Sequence, residues 1–185
     1  RAGDMLETGA AIIDVGGEST RPGAAPVSVQ EELDRVMPVV EALIREFQCI
    51  VSVDTSTPEV MLAAANAGAG LINDVRALQR PGALDAVASL GLPVCLMHMQ
   101  GQPGTMQQNP KYKSIEREVM GFFVQRIDAC VSAGVSKERL LLDPGFGFGK
   151  TLEHNMSLLS GLAGFSLLGF PLFVGVFRKT IIGGI

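Results

Sequence analysis

Short apolar runs of strand-like length recur along the chain, and each of them ends on a polar or charged side chain. A strand that is buried on both faces reads as a continuous run of Val, Ile and Leu, so a charge can stand only where the strand leaves the core. The polar groups follow the C-terminal end of each run: Asp14 and Glu18, Asp54, Asn73 and Asp74, His98, Asp143 and Lys150, and Arg178 and Lys179. The pattern predicts one polar rim along one edge of a parallel sheet.

Segments that suit helices separate these runs, at residues 29–47, 58–68, 82–91, 115–134 and 153–165. Parallel strands joined by helical crossovers leave two common α/β architectures, the (β/α)8 TIM barrel and the open doubly wound sheet. An open sheet concentrates its ligand groups at one switch point, whereas nearly every strand end in this chain carries a polar group. We therefore predict a barrel whose loops converge on one mouth.

The chain contains fewer strand-like apolar runs than a closed barrel has strands. About six strands are visible in 185 residues, against the eight strands and roughly 250 residues of a typical TIM barrel. The chain also starts in a helix-like segment and stops soon after a strand-like run. We expect an incomplete copy of a barrel, without its leading and trailing strands.

Composition excludes several classes of protein. Hydrophobic residues make up 47% of the chain and charged residues 18%, which is typical of one well-buried domain. The formal net charge of -4 gives no reason to expect nucleic acid or an anionic membrane as a partner. Cys49, Cys95 and Cys130 lie far apart in apolar surroundings, which predicts free thiols and a reducing compartment. No run is long enough to span a membrane and no signal peptide is visible, so we expect a cytoplasmic protein.

The irregular loop at residues 16–26 carries hydroxyls and one guanidinium. Ser19, Thr20 and Arg21 are suited to holding an anion or a carboxylate, because a guanidinium offers a planar bidentate fork. The alternative is that Arg21 pairs only with Glu18 or with a loop carbonyl.

Polar groups also end the next two runs. Asp54 must be hydrogen-bonded at its depth, either to the N-terminus of the following helix or to a ligand. Residues 55–57 stand just before Pro58 and resemble a helix N-cap. Alternation along a strand sends Asn73 and Asp74 to opposite sides, so one of them faces the barrel axis and the other supports the wall.

The glycine-rich segment 143–150 is no phosphate-binding loop of the P-loop type, because Pro144 stands where the motif requires a glycine.

Arg178 and Lys179 bring two cations to the mouth, where a lysine either holds a carbonyl of a ligand or neutralises the rim carboxylates. His98 and His154 lack the spacing of metal ligands, so we expect no dedicated metal site. A magnesium ion carried by substrate phosphates is still allowed, because it needs only one or two protein oxygens.

Six segments of the chain, taken together and in order, resemble the signature segments of the dihydropteroate synthase family: DVGGESTRPGA, SVDTS, INDV, LMHMQGQPGTMQ, LLDPGFGFGK and FRK. The resemblance covers the whole chain and implies a single pterin-binding barrel domain over residues 1–185, incomplete at both ends. It also implies a homodimer and a transferase of folate biosynthesis. That family joins p-aminobenzoate to hydroxymethyl-dihydropterin pyrophosphate and releases pyrophosphate with the help of Mg2+.

The resemblance further implies residue roles. The pterin would be bound, and the transfer catalysed, at Asp54, Asp143 and Lys179, with Asn73 and Met97 completing the pterin site. The two carboxylates would favour the positive charge that develops as the bond to pyrophosphate breaks. The p-aminobenzoate site would be formed by Thr20, Arg21, Pro22, Phe148, Phe177 and Arg178.

Two departures from the family pattern matter. The magnesium-binding asparagine of the leading strand is absent, as are the arginine and histidine of the trailing strand, so we expect no metal ligand within these residues. Phe177 stands where the family usually has serine, and we hypothesise that its ring weakens the binding of sulfonamide inhibitors; the alternative is a tolerated substitution. Two rival functions stay open, a pterin-binding methyltransferase domain and an inactive relative that only binds pterin.

Overall fold

The structure is a computed structural model that describes residues 1–21 and 23–175. Its centre is one parallel sheet of five strands. The strands are β1 (Ile12–Gly16), β2 (Ile50–Asp54), β3 (Leu71–Asp74), β4 (Val94–Met97) and β5 (Leu140–Asp143). Each of them lies within one of the predicted apolar runs.

Helices connect successive strands on the outside of the sheet. They are α1 (Ala2–Glu7), α2 (Val29–Glu46), α3 (Pro58–Asn66), α4 (Ala83–Leu90), α5 (Ile115–Ser132) and α6 (Leu152–Ser160), with short 3-10 helices at Lys137–Arg139 and Leu162–Leu168. The predicted helix at 153–165 is therefore wrong in one respect. It is interrupted at Gly161, and the chain continues as a 3-10 helix.

The order of the strands separates the two architectures that the sequence left open. Neighbouring strands in the sheet are also neighbours in the chain, β1-β2-β3-β4-β5, with no reversal of direction along the sheet. A doubly wound sheet reverses its strand order at the switch point, whereas a barrel proceeds in one direction. The described sheet is part of a (β/α)8 barrel, as predicted.

The sixth predicted run, which begins at Leu172, starts to extend this sheet. Leu172 forms an isolated parallel bridge with Leu142, and the Phe173 amide donates to the Leu142 carbonyl at 2.9 Å. The remainder of that run, from residue 176 onward, lies outside the described residues.

Alternation along the strands gives the sheet two chemically different faces. Val51 and Val53 of β2 pack with α2 and α3 in one core cluster, while Leu96 and Leu142 pack with α4 and α5 in a second. The alternate positions carry polar or soft side chains. They include Asp14, Ser52, Asp54, Asn73, Cys95, Met97 and Asp143.

Two predictions from composition can be compared with the structure. Cys95 and Cys130 are buried, Cys49 is partly buried, and all three are free thiols, as predicted. Among the helices that the structure describes, none combines the length and the apolar character that crossing a membrane requires.

Candidate active site

A cavity of about 320 Å³ lies at the C-terminal ends of the strands. Six of the predicted site residues line it, namely Thr20, Asp54, Asn73, Met97, Asp143 and Phe148. Arg21 is exposed and does not line the cavity. The other predicted site residues, Pro22, Phe177, Arg178 and Lys179, lie outside the described residues.

The amide and the carboxylate at the end of β3 take opposite roles. Asn73 faces the cavity, and its Nδ2 donates to Asp14 Oδ2 at 3.2 Å. Asp74 is fully buried in the wall, where it accepts from the Ser56 hydroxyl and from the amides of Arg76 and Leu78 at 2.8 and 2.7 Å. Strand alternation thus separates the two side chains as predicted, and the structure identifies Asn73 as the inward one.

Asp14 is a cavity residue that the sequence reasoning did not select. It lines the cavity beside Thr20 and fixes the Asn73 amide with its nitrogen on the Asp14 side. The signal was available, since Asp14 ends the first apolar run as the other rim carboxylates end theirs.

The carboxylate of Asp54 is exposed to the cavity. Within residues 1–21 and 23–175 it has no hydrogen-bond donor, so the first of its two predicted partners, the N-terminus of the following helix, is not used. Burial first, and then the negative charges of Asp14, Asp74 and Glu32, raise the pKa of Asp54 to about 7, against the opposing charge of Arg76. A ligand that donates hydrogen bonds would relieve this unpaired acceptor.

Asp143 is the second perturbed carboxylate of the cavity. Burial raises its pKa to about 6, against the opposing effects of the Gly145 amide and of Lys150. The Gly145 amide donates to Asp143 Oδ1 at 2.8 Å, which leaves Oδ2 for a ligand.

Apolar side chains form one wall of the cavity beside the carboxylates of Asp54 and Asp143. Val75, Met97, Met106 and Phe148 form a small buried cluster against the cavity. Perturbed carboxylates beside an apolar wall are typical of a binding or catalytic site. The arrangement suits a flat ring whose edge is rich in N–H donors, with two carboxylates and an amide as its partners.

Three arginines hold the start of the 16–26 loop at Gly17 and Glu18. Arg76 contacts the Glu18 carboxylate with both terminal nitrogens at 3.2 Å, and Arg80 adds a third contact at 3.3 Å. Arg35 donates to the Gly17 carbonyl at 2.9 Å. The alternative that Arg21 pairs with Glu18 is wrong, because Arg76 and Arg80 occupy that carboxylate.

The residues at 55–57 are placed correctly before α3, but their hydroxyls have other partners than expected. Thr57 is the N-cap residue, yet its hydroxyl donates to Glu32 Oε2 at 2.6 Å instead of accepting from α3. Thr55 donates to the same carboxylate, and its oxygen accepts from the Thr57 amide at 3.0 Å. Glu32 is 1% exposed and was missed, because nothing in the sequence distinguishes it from the other acids of α2.

We expect Glu18→Gln to lower the free energy of unfolding by about 1–2 kcal/mol, because it removes the carboxylate with which both Arg76 and Arg80 form ion pairs. Urea unfolding measures the change. Glu41→Gln, at an exposed acid of α2, is the control and is expected to change nothing. Equal stability of the two variants would contradict the anchoring role of Glu18.

A larger groove of about 1090 Å³ lies between residues 110–118 and the start of α6. It is open to solvent and is lined by none of the predicted site residues. His154, which borders it, forms a capping box with Thr151 at the start of α6. The acidic and basic side chains that line this groove are exposed to solvent, so we assign the chemistry to the smaller cavity.

Among the described residues, no cluster of three His, Cys, Asp or Glu side chains could hold a metal ion.

The chain is similar to known proteins along its whole length. The sequence model of the pterin binding enzyme family matches residues 1–185. The dihydropteroate synthase of Escherichia coli K12 is 60% identical over 179 residues, which are 97% of this chain and 64% of that enzyme. The chain therefore spans slightly less than two thirds of that relative.

Solved structures give the same result. The Yersinia pestis dihydropteroate synthase in complex with a sulfonamide drug matches with a TM-score of 0.97 and 57% identity, over 99% of this chain and 66% of that one. The Xanthomonas albilineans dihydropteroate synthase with 4-aminobenzoic acid matches with a TM-score of 0.93 and 52% identity, over 99% and 65%. Because the family match extends from the first residue to the last, this chain belongs to the family of pterin-binding enzymes.

Proposed function

We propose that this chain carries the substrate-binding mouth of a dihydropteroate synthase, a transferase that makes dihydropteroate in folate biosynthesis. The observation that supports the proposal is the convergence of Asp54, Asn73 and Asp143 on one cavity with an apolar wall. The E. coli and Y. pestis relatives bear this name at 60% and 57% identity. In this proposal, residues 1–185 are one continuous part of a barrel domain.

The pterin ring binds with its amino-pyrimidine edge toward the acceptors. Asp54 and Asp143 accept from its amino and ring N–H groups, while Asn73 adds an amide and Met97 packs on the flat ring. Lys179 contacts the pterin carbonyl and a ring nitrogen. A neutral ring with several donors is suited to a site with two buried carboxylates, of which Asp54 has no donor among the described residues and Asp143 has one free oxygen.

The reaction forms a bond between the amine nitrogen of p-aminobenzoate and the methylene carbon of the pterin. The carbon–oxygen bond to pyrophosphate breaks, and the amine then loses one proton. Positive charge develops on the pterin as pyrophosphate leaves, and the carboxylates of Asp54 and Asp143 stabilise it electrostatically. A magnesium ion bound to the pyrophosphate would neutralise part of its charge, and among the described residues no cluster of three His, Cys, Asp or Glu would hold that ion without the phosphates.

The p-aminobenzoate lies toward the loops. Thr20 and Phe148 line the cavity. The remaining contacts to p-aminobenzoate are proposed from the family resemblance alone, at Arg21, which does not line the cavity, and at Pro22, Phe177 and Arg178, which lie outside the described residues. The X. albilineans relative carries 4-aminobenzoic acid and the Y. pestis relative a sulfonamide, so both ligand classes are proposed for this chain as substrate and inhibitors. A homodimer is the proposed assembly.

The proposal is tested by pyrophosphate release from the natural protein that contains these residues. Release should require hydroxymethyl-dihydropterin pyrophosphate, p-aminobenzoate and magnesium together, and should be lost in Lys179→Ala. Lys137→Ala, at an exposed lysine, should leave release unchanged. Pterin binding without any release would overturn the proposal in favour of a methyltransferase-like or inactive pterin-binding protein.

We expect Phe177→Ser to tighten sulfonamide inhibition by about 10-fold and to change the KM for p-aminobenzoate less. The family resemblance assigns Phe177 to the p-aminobenzoate half of the site, where a ring would discriminate against the bulkier inhibitor more than against the substrate. Inhibition constants of the two proteins, measured at the same p-aminobenzoate concentration, give the answer. Equal sulfonamide inhibition would show that Phe177 is a tolerated substitution.

A further inference from the structure

Lys150 is a buried cation outside the cavity lining. Its side chain is 3% exposed, and its Nζ donates to the carbonyls of Gly145 and Phe148 at 2.9 Å and of His98 at 3.2 Å. The fourth neighbour of Nζ is His98 Nδ1 at 3.0 Å. No carboxylate lies within ion-pair distance of it among residues 1–21 and 23–175.

An ammonium group without an ion pair is costly to bury, so its hydrogen bonds must offset the loss of water. Burial penalises the charged form of Lys150 and lowers its pKa to about 7, while the negative charge of Asp143 opposes the shift. His98 stays neutral, because burial and then the charge of Lys150 lower its pKa to about 3. A charged Lys150 can only donate, so beside it Nδ1 acts as an acceptor, and the three N–H groups of the ammonium are shared among four acceptors.

The carbonyls that accept hydrogen bonds from Lys150 belong to two segments, the residue after β4, His98, and the glycine-rich turn at 145–149. These segments touch backbone to backbone. A Cβ on Gly145 would lie 2.0 Å from the His98 carbonyl oxygen, and one on Gly149 would lie 2.6 Å from the Gln100 carbonyl oxygen. The ammonium thus ties the turn to the strand at the point where no side chain fits between them.

The same turn carries part of the cavity. Phe148, whose carbonyl Lys150 binds, lines the cavity with its ring. The backbone of Asp143 is held by the sheet, because its carbonyl accepts from the His98 amide at 2.9 Å, and only one carboxylate oxygen depends on the turn, through the Gly145 amide. A loss of the Lys150 contacts should therefore displace Phe148 more than Asp143.

We propose that Lys150 is a positioning residue for the p-aminobenzoate half of the site, which it controls by holding Phe148 against the cavity. The inference rests on the proposed function. Lys150 does not touch substrate, since the strand end and the turn engage its donors. It acts through the position of the Phe148 ring.

The test compares Lys150→Met with Lys150→Gln and with the exposed control Lys137→Met. Lys150→Met removes all donors and is expected to raise the KM for p-aminobenzoate about 10-fold, with less than a 3-fold change in the KM for the pterin substrate. Lys150→Gln keeps two N–H donors and should have a smaller effect in the same direction. A role in folding alone would lower kcat through the active fraction and leave both KM values unchanged.

A double-mutant cycle with Phe148→Ala identifies the route. In the Phe148→Ala background, Lys150→Met should add less than a 2-fold change to the KM for p-aminobenzoate, because the ring that it positions is gone. Full additivity of the two substitutions would overturn the proposal. So would unfolding of both Lys150 variants while Lys137→Met folds, since that result assigns Lys150 to stability alone.

The proposed function and this inference fail in different ways. Absence of turnover in the unsubstituted protein is a failure of the function. The calorimetric Kd of p-aminobenzoate, measured alongside KM, still reports the position of Phe148 in a protein without turnover. An unchanged Kd in Lys150→Met would overturn the inference even where the unsubstituted protein is an active synthase.

Discussion

Asp54→Asn is expected to lower turnover by at least ~10³-fold and, at pH 8, to raise the free energy of unfolding by about 2–3 kcal/mol. The loss of turnover follows because an asparagine supplies neither the negative charge nor the second acceptor oxygen that the pterin edge requires. The gain in stability follows because the substitution removes a buried carboxylate that has no donor among the described residues.

The sign of the pH dependence follows from the direction of the shift. The pKa of Asp54 is raised from 3.8 to about 7, so the folded protein holds this proton more tightly than the unfolded chain does. The stabilisation is complete below pH 3.8 and is lost as the pH rises toward 7. Asp54→Asn escapes that loss, so its advantage should be small near pH 4 and largest above pH 7.

Urea unfolding at several pH values measures this difference directly. Asp143→Asn should behave in the same way with a smaller amplitude, because burial raises the pKa of Asp143 only to about 6. Asp128→Asn, at an exposed acid of α5, should show no pH-dependent difference. A gain in stability that is the same at pH 4 and pH 8 would contradict a raised pKa of the buried carboxylate at position 54.

Gly145→Ala is expected to destabilise the protein by more than about 3 kcal/mol or to prevent folding. The new Cβ would lie 2.0 Å from the His98 carbonyl oxygen and 3.1 Å from its carbon, and φ at this position is +70°. The obstacle is backbone, so no side-chain rotation relieves it. Any relief must displace the turn that carries Phe148.

Thermal and urea unfolding test this prediction, with Gly121→Ala as the matched control. Gly121 lies inside α5, where a Cβ meets nothing within 4 Å, so alanine there should stabilise the helix by about 0.5–1 kcal/mol. Opposite signs are therefore expected for the same chemical change at two positions. Equal stability of Gly145→Ala and the unsubstituted protein would show that the turn does not lie against the His98 carbonyl.

The fold was predictable because its main signals are local. Apolar runs that end on polar groups located all five strands, and the spread of those groups over every strand end favoured the barrel that the sequential strand order confirms. Period-two alternation placed Asn73 and Asp74 on opposite sides. It did not identify the inward residue, because that depends on how the strand is oriented toward the helices.

The parts that were missed depend on contacts between residues far apart in the chain. Thr57 is the N-cap residue of α3, as predicted, but its hydroxyl makes no cap bond and donates to Glu32, 25 residues earlier. Lys150 was predicted on the polar rim, whereas the structure buries it, with His98, 52 residues away, as one of its partners. Neither partner was predicted, because residue type and local spacing do not reveal which buried group satisfies a polar side chain.

The most direct test of the account is a crystal structure of the natural protein with hydroxymethyl-dihydropterin pyrophosphate. The account predicts that the amino-pyrimidine edge of the ring lies within hydrogen-bond distance of Asp54, Asn73 and Asp143, with the ring against Met97. A pterin bound elsewhere, for example in the groove beside His154, or bound with its carbonyl edge toward the carboxylates, would contradict it.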